Sequence, residues 1–407
     1  MLIPGKEKLQ NISQIIDNEV FPIPLLDEQE WDELLEFIQK QGVLCYIYYA
    51  LKQKKSESAI PEDWRRKIKL QILHFSKGNI KHLQELEELS LLFEKALTPI
   101  IFLKGSHLAF HVYPFPSLRP MGDIDIVVSE DNIQKAIDVL LESGYRSDYF
   151  TIDNVKKYHW HFPPFTKEGK KTIELHWTLI EPKLHTAETE NIMQWLFDET
   201  EEKQYGKGKA LVFKPDAIVF QLMLHYGLND DLRPSLKNLL DITVLIQKYQ
   251  KEINWEVISN KIMETGLARR FALIGWLAKN TVGANIPDHF FQALNVKLNE
   301  EIKDVAMNRI IHFSDIDLMS KRPALYHANL SQKIIIMLMN LFPSPSKLRF
   351  RYNLKTNWEV LVYYPKRVFD LTKAYRSDVI KTLKPNDELI AKTKEEIILI
   401  DWLEGRV

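Results

Sequence analysis

The sequence predicts an α+β fold in which a small mixed-sheet unit lies between helical blocks. Three observations carry this. Apolar residues recur at helical spacing through residues 27–97, short strand-like runs broken by turns occupy 98–186, and helical spacing returns beyond about residue 187. A length of 407 residues leaves room for two or three domains, because single cores stop growing near about 250–300 residues.

In the first block, Trp31, Leu34, Leu35 and Ile38 fall on one helical face. Pro61-Glu62-Asp63 is a helix start, since proline and acids suit a first turn, and the pattern then runs to about Leu97 with a possible break near Gly78. From Pro99 the run Ile-Ile-Phe-Leu reads as a buried strand entering a tight turn at Lys104-Gly105-Ser106, followed by a short helix from His107. Asp123-Ile-Asp-Ile-Val-Val alternates as a second strand, and Ser129 is placed to cap the next helix, which ends before Gly144. Two further strands are expected over 158–165 and 171–179. Helices are expected from Pro215, from Pro234-Ser235 and twice within 254–282. The domain division expected is 1–97 helical, 98–186 the mixed α/β unit, 187–342 helical and 343–407 a basic and aromatic extension. Within 346–381 there are nine Lys/Arg against three Asp/Glu.

Composition narrows the function. The formal net charge of −1 argues against a polynucleotide partner, which would call for a basic excess. A single cysteine, Cys45, excludes an internal disulfide and a cysteine-cluster zinc site, and it fits a reducing, cytoplasmic setting. The N-terminus has no basic segment followed by an apolar one, so no signal peptide is expected. The longest apolar run, Ile334 to Phe342, falls short of the roughly 20 residues that span a bilayer.

The chemistry lies in three features in a fixed order. Asp123 and Asp125, two apart on a strand, share a face. Adjacent carboxylates repel unless a cation sits between them, so the pair suits a hard metal ion; alone, it is as easily a pair of surface charges. Upstream, Lys104-Gly105-Ser106 ends a buried strand ahead of the short helix from His107; backbone N–H groups and the serine hydroxyl there can receive a phosphate and Lys104 can add charge, or the segment is simply a strand-ending turn. Downstream, Thr172-Ile-Glu-Leu-His-Trp alternates so that Glu174 and His176 face one way and Ile173 and Leu175 the other. Glu174 is read either as the third carboxylate that a two-metal phosphoryl-transfer site needs or as part of a half-solvated strand edge. Arg119 is read either as a phosphate contact or as the ion-pair partner of an aspartate. His176 either orients Glu174, touches an acceptor or makes a structural hydrogen bond. His225 and Asp241 either line an acceptor pocket or pack between helices. The histidines at 107, 111, 159, 161 and 185 show no metal-ligand spacing. Tyr113-Pro-Phe-Pro is read as a base platform or a packed loop.

These features together resemble the nucleotidyltransferase superfamily that includes DNA polymerase beta and the aminoglycoside nucleotidyltransferases. More narrowly, FLKGSHLAFHVYPFPSLRPMGDIDIVV, IELHWTL and FKPDAIVFQLMLHYGLNDDLRPSLKNLLDI resemble an uncharacterised bacterial nucleotidyltransferase family over roughly residues 25–320. The interval from Gly-Ser to D-x-D is longer than in the wider superfamily, and Glu174 stands where aspartate is common. The resemblance implies a nucleotidyltransferase core with flanking helices and two magnesium ions held by Asp123, Asp125 and Glu174. It also implies an NTP, ATP among the candidates, whose triphosphate meets Gly105, Ser106, Lys104 and Arg119. His176 and His225 would lie on the acceptor side. The implied reaction transfers a nucleoside monophosphate to a hydroxyl of a small aminoglycoside- or sugar-like acceptor. Alternatives are a protein-modifying AMPylating or toxin-like enzyme, a D-x-D glycosyltransferase, and a nucleotide-binding scaffold whose segment 346–381 docks on a membrane surface or protein.

Overall fold

The computed structural model describes residues 5–16, 26–148, 150–184, 186–228, 232, 234–312, 358–370 and 387–406, with isolated residues between 342 and 356. The described residues form two compact units. The larger holds those within Met1–Ser147, His159–Leu298 and Ala306–Phe313, and the smaller those within Asp148–Tyr158, Asn299–Val305 and Ser314–Val407. The apolar run 334–342 and most of the basic segment 346–381 lie outside the described residues.

In the larger unit the chain opens with α1 (Gly5–Ile16), α2 (Glu28–Lys40), α3 (Leu44–Gln53) and α4 (Glu62–Lys95). Asp27 starts α2 through a capping box with Glu30, which satisfies two of the helix's unpaired first-turn donors. Pro61 precedes α4, as expected, but the helix runs unbroken through Gly78. That glycine faces open space, where it lowers helix propensity by about 1 kcal/mol without opening the ladder.

The sheet follows: β1 (Ile101–Phe102), α5 (Lys104–His111), β2 (Ile124–Val127), α6 (Ile133–Glu142), β3 (Ile173–His176), then α8 (Ala187–Asp198), β4 (Thr200–Tyr205) and β5 (Gly208–Phe213). Between α6 and β3, α7 (Ile152–Tyr158) belongs to the smaller unit. The strand order is β3-β2-β1-β5-β4, with β2/β3 and β1/β5 parallel and the other two pairs antiparallel. β2 is buried along its whole length, and Ile124, Ile126 and Val127 are completely enclosed.

Several sequence expectations change here. Ser129 does not cap α6; a 3-10 turn over Glu130–Asn132 intervenes, and Ser129 Oγ instead accepts from Asn132 Nδ2 at 2.8 Å. The strand expected over 158–165 is reduced to isolated pairings of His161 with His176 and Phe165 with Ile173. Pro163 and Pro164 between them have no N–H to give a ladder. The hairpin β4–β5 interrupts a region expected to be helical. β4 is polar and lies at the sheet's edge, so it lacks an apolar strand pattern, and its turn is marked by Gly206 at φ +61°. Gly208 is required by close packing, since a Cβ there would stand 2.6 Å from Ser90 Cβ on α4.

The helices after the sheet are α9 (Pro215–Leu228), α10 (Leu236–Tyr249), α11 (Trp255–Glu264), α12 (Ala268–Val282) and α13 (Asp288–Leu294), ahead of α14 (Glu300–Ile311). Their starts fall where the sequence marks them: Ser235 accepts from Asn238 N–H and Asn254 from Glu256 and Val257 N–H. In the smaller unit, Leu348, Leu354 and Val360 form a buried cluster packed by Tyr352, Tyr363 and Tyr364. A helix covers 358–370 and another Asp387–Leu403. Among the described residues no helix is long and apolar enough to cross a membrane.

Candidate active site

The parallel register of β2 and β3 sets Asp125 opposite Glu174 and Val127 opposite His176. Alternate strand residues share a face, so Glu174 and His176 both approach Asp125 while Ile173 and Leu175 are fully buried. One ligand atom from each of Asp125, Glu174 and His176 lies within 4.8 Å of the others. The start of α5 is fastened to the same point, because Leu103 N–H donates to the Asp125 carbonyl at 3.0 Å. Lys104 Nζ donates to Asp125 Oδ1 at 2.8 Å. His176 Nε2 reaches that oxygen at 3.1 Å and lies 3.8 Å from Glu174 Oε2. A carboxylate only accepts, so Nε2 carries the proton. His176 Nδ1 is then a buried acceptor with no partner among the described residues.

Burial would push the Asp125 carboxyl up, but Lys104 and the hydrogen bond from His176 outweigh it and hold the group well below the usual range. Glu174 moves the other way, raised by burial and by the neighbouring Asp125 charge. Burial lowers His176 to about 4, with Lys104 and His161 adding to the shift and Asp125 opposing it, so the imidazole is neutral. The site therefore holds one firmly ionised carboxylate and a second that lacks a counter-charge of its own.

The expected turn at Lys104-Gly105-Ser106 is the first turn of α5, and the residue with left-handed backbone is Lys104, at φ +44°. Gly105 is needed for a different reason. A Cβ there would lie 2.5 Å from Arg119 Nη1 and 3.1 Å from Met121 Cγ. Among the described residues Ser106 Oγ is buried without a hydrogen-bond partner, next to first-turn N–H groups that have no acceptor within the helix. A buried orphan hydroxyl beside free helix N–H groups is the arrangement that receives an anionic oxygen.

Arg119 makes the ion pair that the sequence offered as its second reading. Its Nε and Nη2 donate to Asp241 Oδ1 and Oδ2 at 3.2 and 2.9 Å, and Nη1 donates to the Pro120 carbonyl at 3.2 Å. Tyr113 and Tyr226 hydroxyls each donate to Asp241 at 2.8 Å. This places Asp241 in a closed buried network and makes Tyr113 a packed loop residue. Asp123 is exposed immediately before β2, outside the Asp125–Glu174–His176 group, and acts on Glu174 through its charge.

His225, on α9, lies within electrostatic reach of Lys104, Asp125 and His176, and burial followed by Lys104 lowers it well below its usual value. His161 was not singled out by spacing. The structure sets its ring tilted against His176, with centroids 5.3 Å apart, and within electrostatic reach of Glu174. No periodic signal marks it, because it enters through an isolated bridge and not a regular strand. The remaining histidine pair, His107 and His111, stacks at 5.5 Å on α5 beside Tyr205 and takes no part in this group. His185 lies outside the described residues.

A family model described as an uncharacterised nucleotidyltransferase matches residues 27–283, more than half of the chain. The chain belongs to this nucleotidyltransferase family. The match begins at Asp27, the cap of α2, and ends at Gly283, the left-handed cap of α12. It therefore takes in the whole sheet, α5 and the Arg119–Asp241 network. Nucleotidyl transfer is the general activity of the family, so its donor substrate is an NTP. No curated protein and no solved structure matches the chain.

Proposed function

We propose that this nucleotidyltransferase uses a divalent cation, magnesium in the first instance, and transfers a nucleoside monophosphate from an NTP to a hydroxyl of a small sugar- or aminoglycoside-like acceptor. The observation that carries the reading is the pairing of Asp125 with Glu174 across parallel strands, beside the open first turn of α5 and the orphaned Ser106 hydroxyl.

The donor set fits a hard cation. Asp125 and Glu174 offer carboxylate oxygens, and both contacts to Asp125 fall on Oδ1, leaving Oδ2 without a bond among the described residues. Asp123 supplies a third carboxylate from the solvent side, where a second ion would need it. The imidazole is assigned to holding Asp125, because its proton-bearing nitrogen already faces the carboxylate. A cation held by Asp125 and Glu174 would neutralise charge on the transferring phosphoryl group.

The protein's own residues do the positioning, which is most of what phosphoryl transfer requires. The first turn of α5 and Ser106 receive the donor's phosphates, with Lys104 adjacent. Gly105 lets Arg119 stand against the helix start, and Asp241 fixes Arg119. His176 keeps Asp125 ionised and oriented. In the reaction the acceptor oxygen bonds to the α-phosphorus, the bond from that phosphorus to the pyrophosphate oxygen breaks and pyrophosphate leaves, and the hydroxyl proton passes to solvent. His225 and His161, within electrostatic reach of Asp125 and Glu174, are the side chains assigned to the acceptor side in this reading.

The test is a melting panel of ATP, GTP, CTP and UTP with and without magnesium. Stabilisation by at least one NTP that requires the metal is expected. Stabilisation by none, in either condition, contradicts the proposal. A protein acceptor would show as label transferred to polypeptide when the same NTP carries it at the α-phosphate.

A further inference from the structure

We propose that Lys237, in the first turn of α10, supplies the positive charge that receives the polyphosphate tail of the bound nucleotide; this rests on the nucleotidyl-transfer reading above. The argument is an inventory of cations around the site. Lys104 is bonded to Asp125 and Arg119 to Asp241. Lys171 Nζ donates to the Met121 carbonyl at 3.3 Å. Lys237 is half-buried, yet among the described residues its ammonium has neither a hydrogen bond nor an ion pair.

Its position points it to the same place. Residues four apart on a helix share a face, and Lys237 stands one turn before Asp241. Asp241 holds Arg119, and Arg119 Nη1 stands 2.5 Å from where a Gly105 Cβ would be. The face of α10 that carries Lys237 is thus joined through two side chains to the first turn of α5. The main chain under Lys237 is fixed: Leu236 N–H donates to Gln41 Oε1 at 2.9 Å and Lys237 N–H to the Gln41 carbonyl at 3.3 Å. Gln41 Nε2 is itself held by the Ile310 carbonyl at 2.8 Å.

Structurally, this is a poor place for a lysine. The start of a helix carries positive partial charge, which disfavours a cation and favours an anion, and partial burial without a counter-ion adds to the cost. Burial, Arg119 and Lys104 push the ammonium's pKa down, while Asp241 and Asp123 pull it up. Beside the Lys104–Asp125 and Arg119–Asp241 pairs, a helix start and the Lys237 ammonium meet, and among the described residues that ammonium has no anion bonded to it. A polyphosphate is the anion that this enzyme binds.

The experiment compares binding of ATP (or whichever NTP stabilises most) with binding of the matching nucleoside monophosphate, in the presence of magnesium. The proteins are the full chain, Lys237→Gln, Lys237→Met and Lys237→Arg. The neutral variants are expected to lose about tenfold to a hundredfold in NTP affinity, the range of a charge-assisted hydrogen bond. Monophosphate affinity should be unchanged, Lys237→Arg should recover most of the loss, and no variant should melt lower than the parent. A folded Lys237→Gln that keeps the parent's NTP-to-monophosphate ratio overturns this inference and leaves the nucleotidyl-transfer reading intact. A parent protein that binds no NTP overturns that reading and this inference with it.

Discussion

Asp125 and Glu174 stand side by side on parallel strands, one carboxyl held ionised by Lys104 and His176 and the other raised by burial and by its neighbour's charge. The sheet places two acids together in a buried setting and gives a counter-charge to only one of them. That asymmetry leaves an acceptor-rich face for a cation.

Replacing Gly105 with Ala should disturb this arrangement from behind. The new methyl group would meet Arg119 Nη1 at 2.5 Å, and Arg119 is fixed by Asp241, so α5 must shift. The expected result is at least about a tenfold loss of NTP affinity, equivalent to about 1.4 kcal/mol, read by titration with the variant still folded. Unchanged affinity would mean that the first turn of α5 does not touch the donor.

Asp241→Ala should be among the most destabilising single changes in the chain. It leaves the buried Arg119 guanidinium and two tyrosine hydroxyls without their shared acceptor. Breaking such a buried pair costs about 3–5 kcal/mol, whereas Tyr113→Phe or Tyr226→Phe should cost about 1–2 kcal/mol each. Urea denaturation of the three variants ranks them.

Acid should weaken the fold through buried neutral histidines. His82 is lowered to about 4 by burial, then by Lys171 and Arg119, and among the described residues both of its ring nitrogens are buried without partners. Between pH 6.5 and 4 the unfolded chain binds a proton there and the folded chain does not. Stability therefore rises with pH across that window, by up to roughly 3 kcal/mol for this one group. The ring stacks on Phe110 at 6.1 Å, so His82→Phe is expected to keep the packing and flatten the pH dependence of denaturation. An identical pH profile in the variant would contradict this assignment.

Much of this was legible in the sequence because it depends on short-range pattern. The alternation in Thr172–Trp177 places Glu174 and His176 on one face, and the caps at Ser235 and Asn254 announce their helices. What the pattern does not carry is long-range pairing. Nothing local states that β2 and β3 run parallel in a register that aligns Asp125 with Glu174, or that Arg119 finds Asp241 more than a hundred residues on. Asp123 and Asp125 look equivalent in the motif, yet one is exposed ahead of the strand and the other buried within it. In the hairpin β4–β5, β4 has no apolar pattern because an edge strand need not be apolar, although Tyr-Gly-Lys-Gly at the turn is the signal that marks it.

The central claim is that the Asp125–Glu174 pair is the metal-dependent transfer site. Its most direct test is pyrophosphate release from NTP, with magnesium and a panel of hydroxylated acceptors, by the parent protein, Asp125→Asn and Glu174→Gln. Asparagine and glutamine keep the side-chain volume, so circular dichroism should show the parent fold. The account predicts release by the parent that stops when EDTA removes the metal and falls by about a thousandfold or more in both variants. Parent-level release by a folded Asp125→Asn would contradict it.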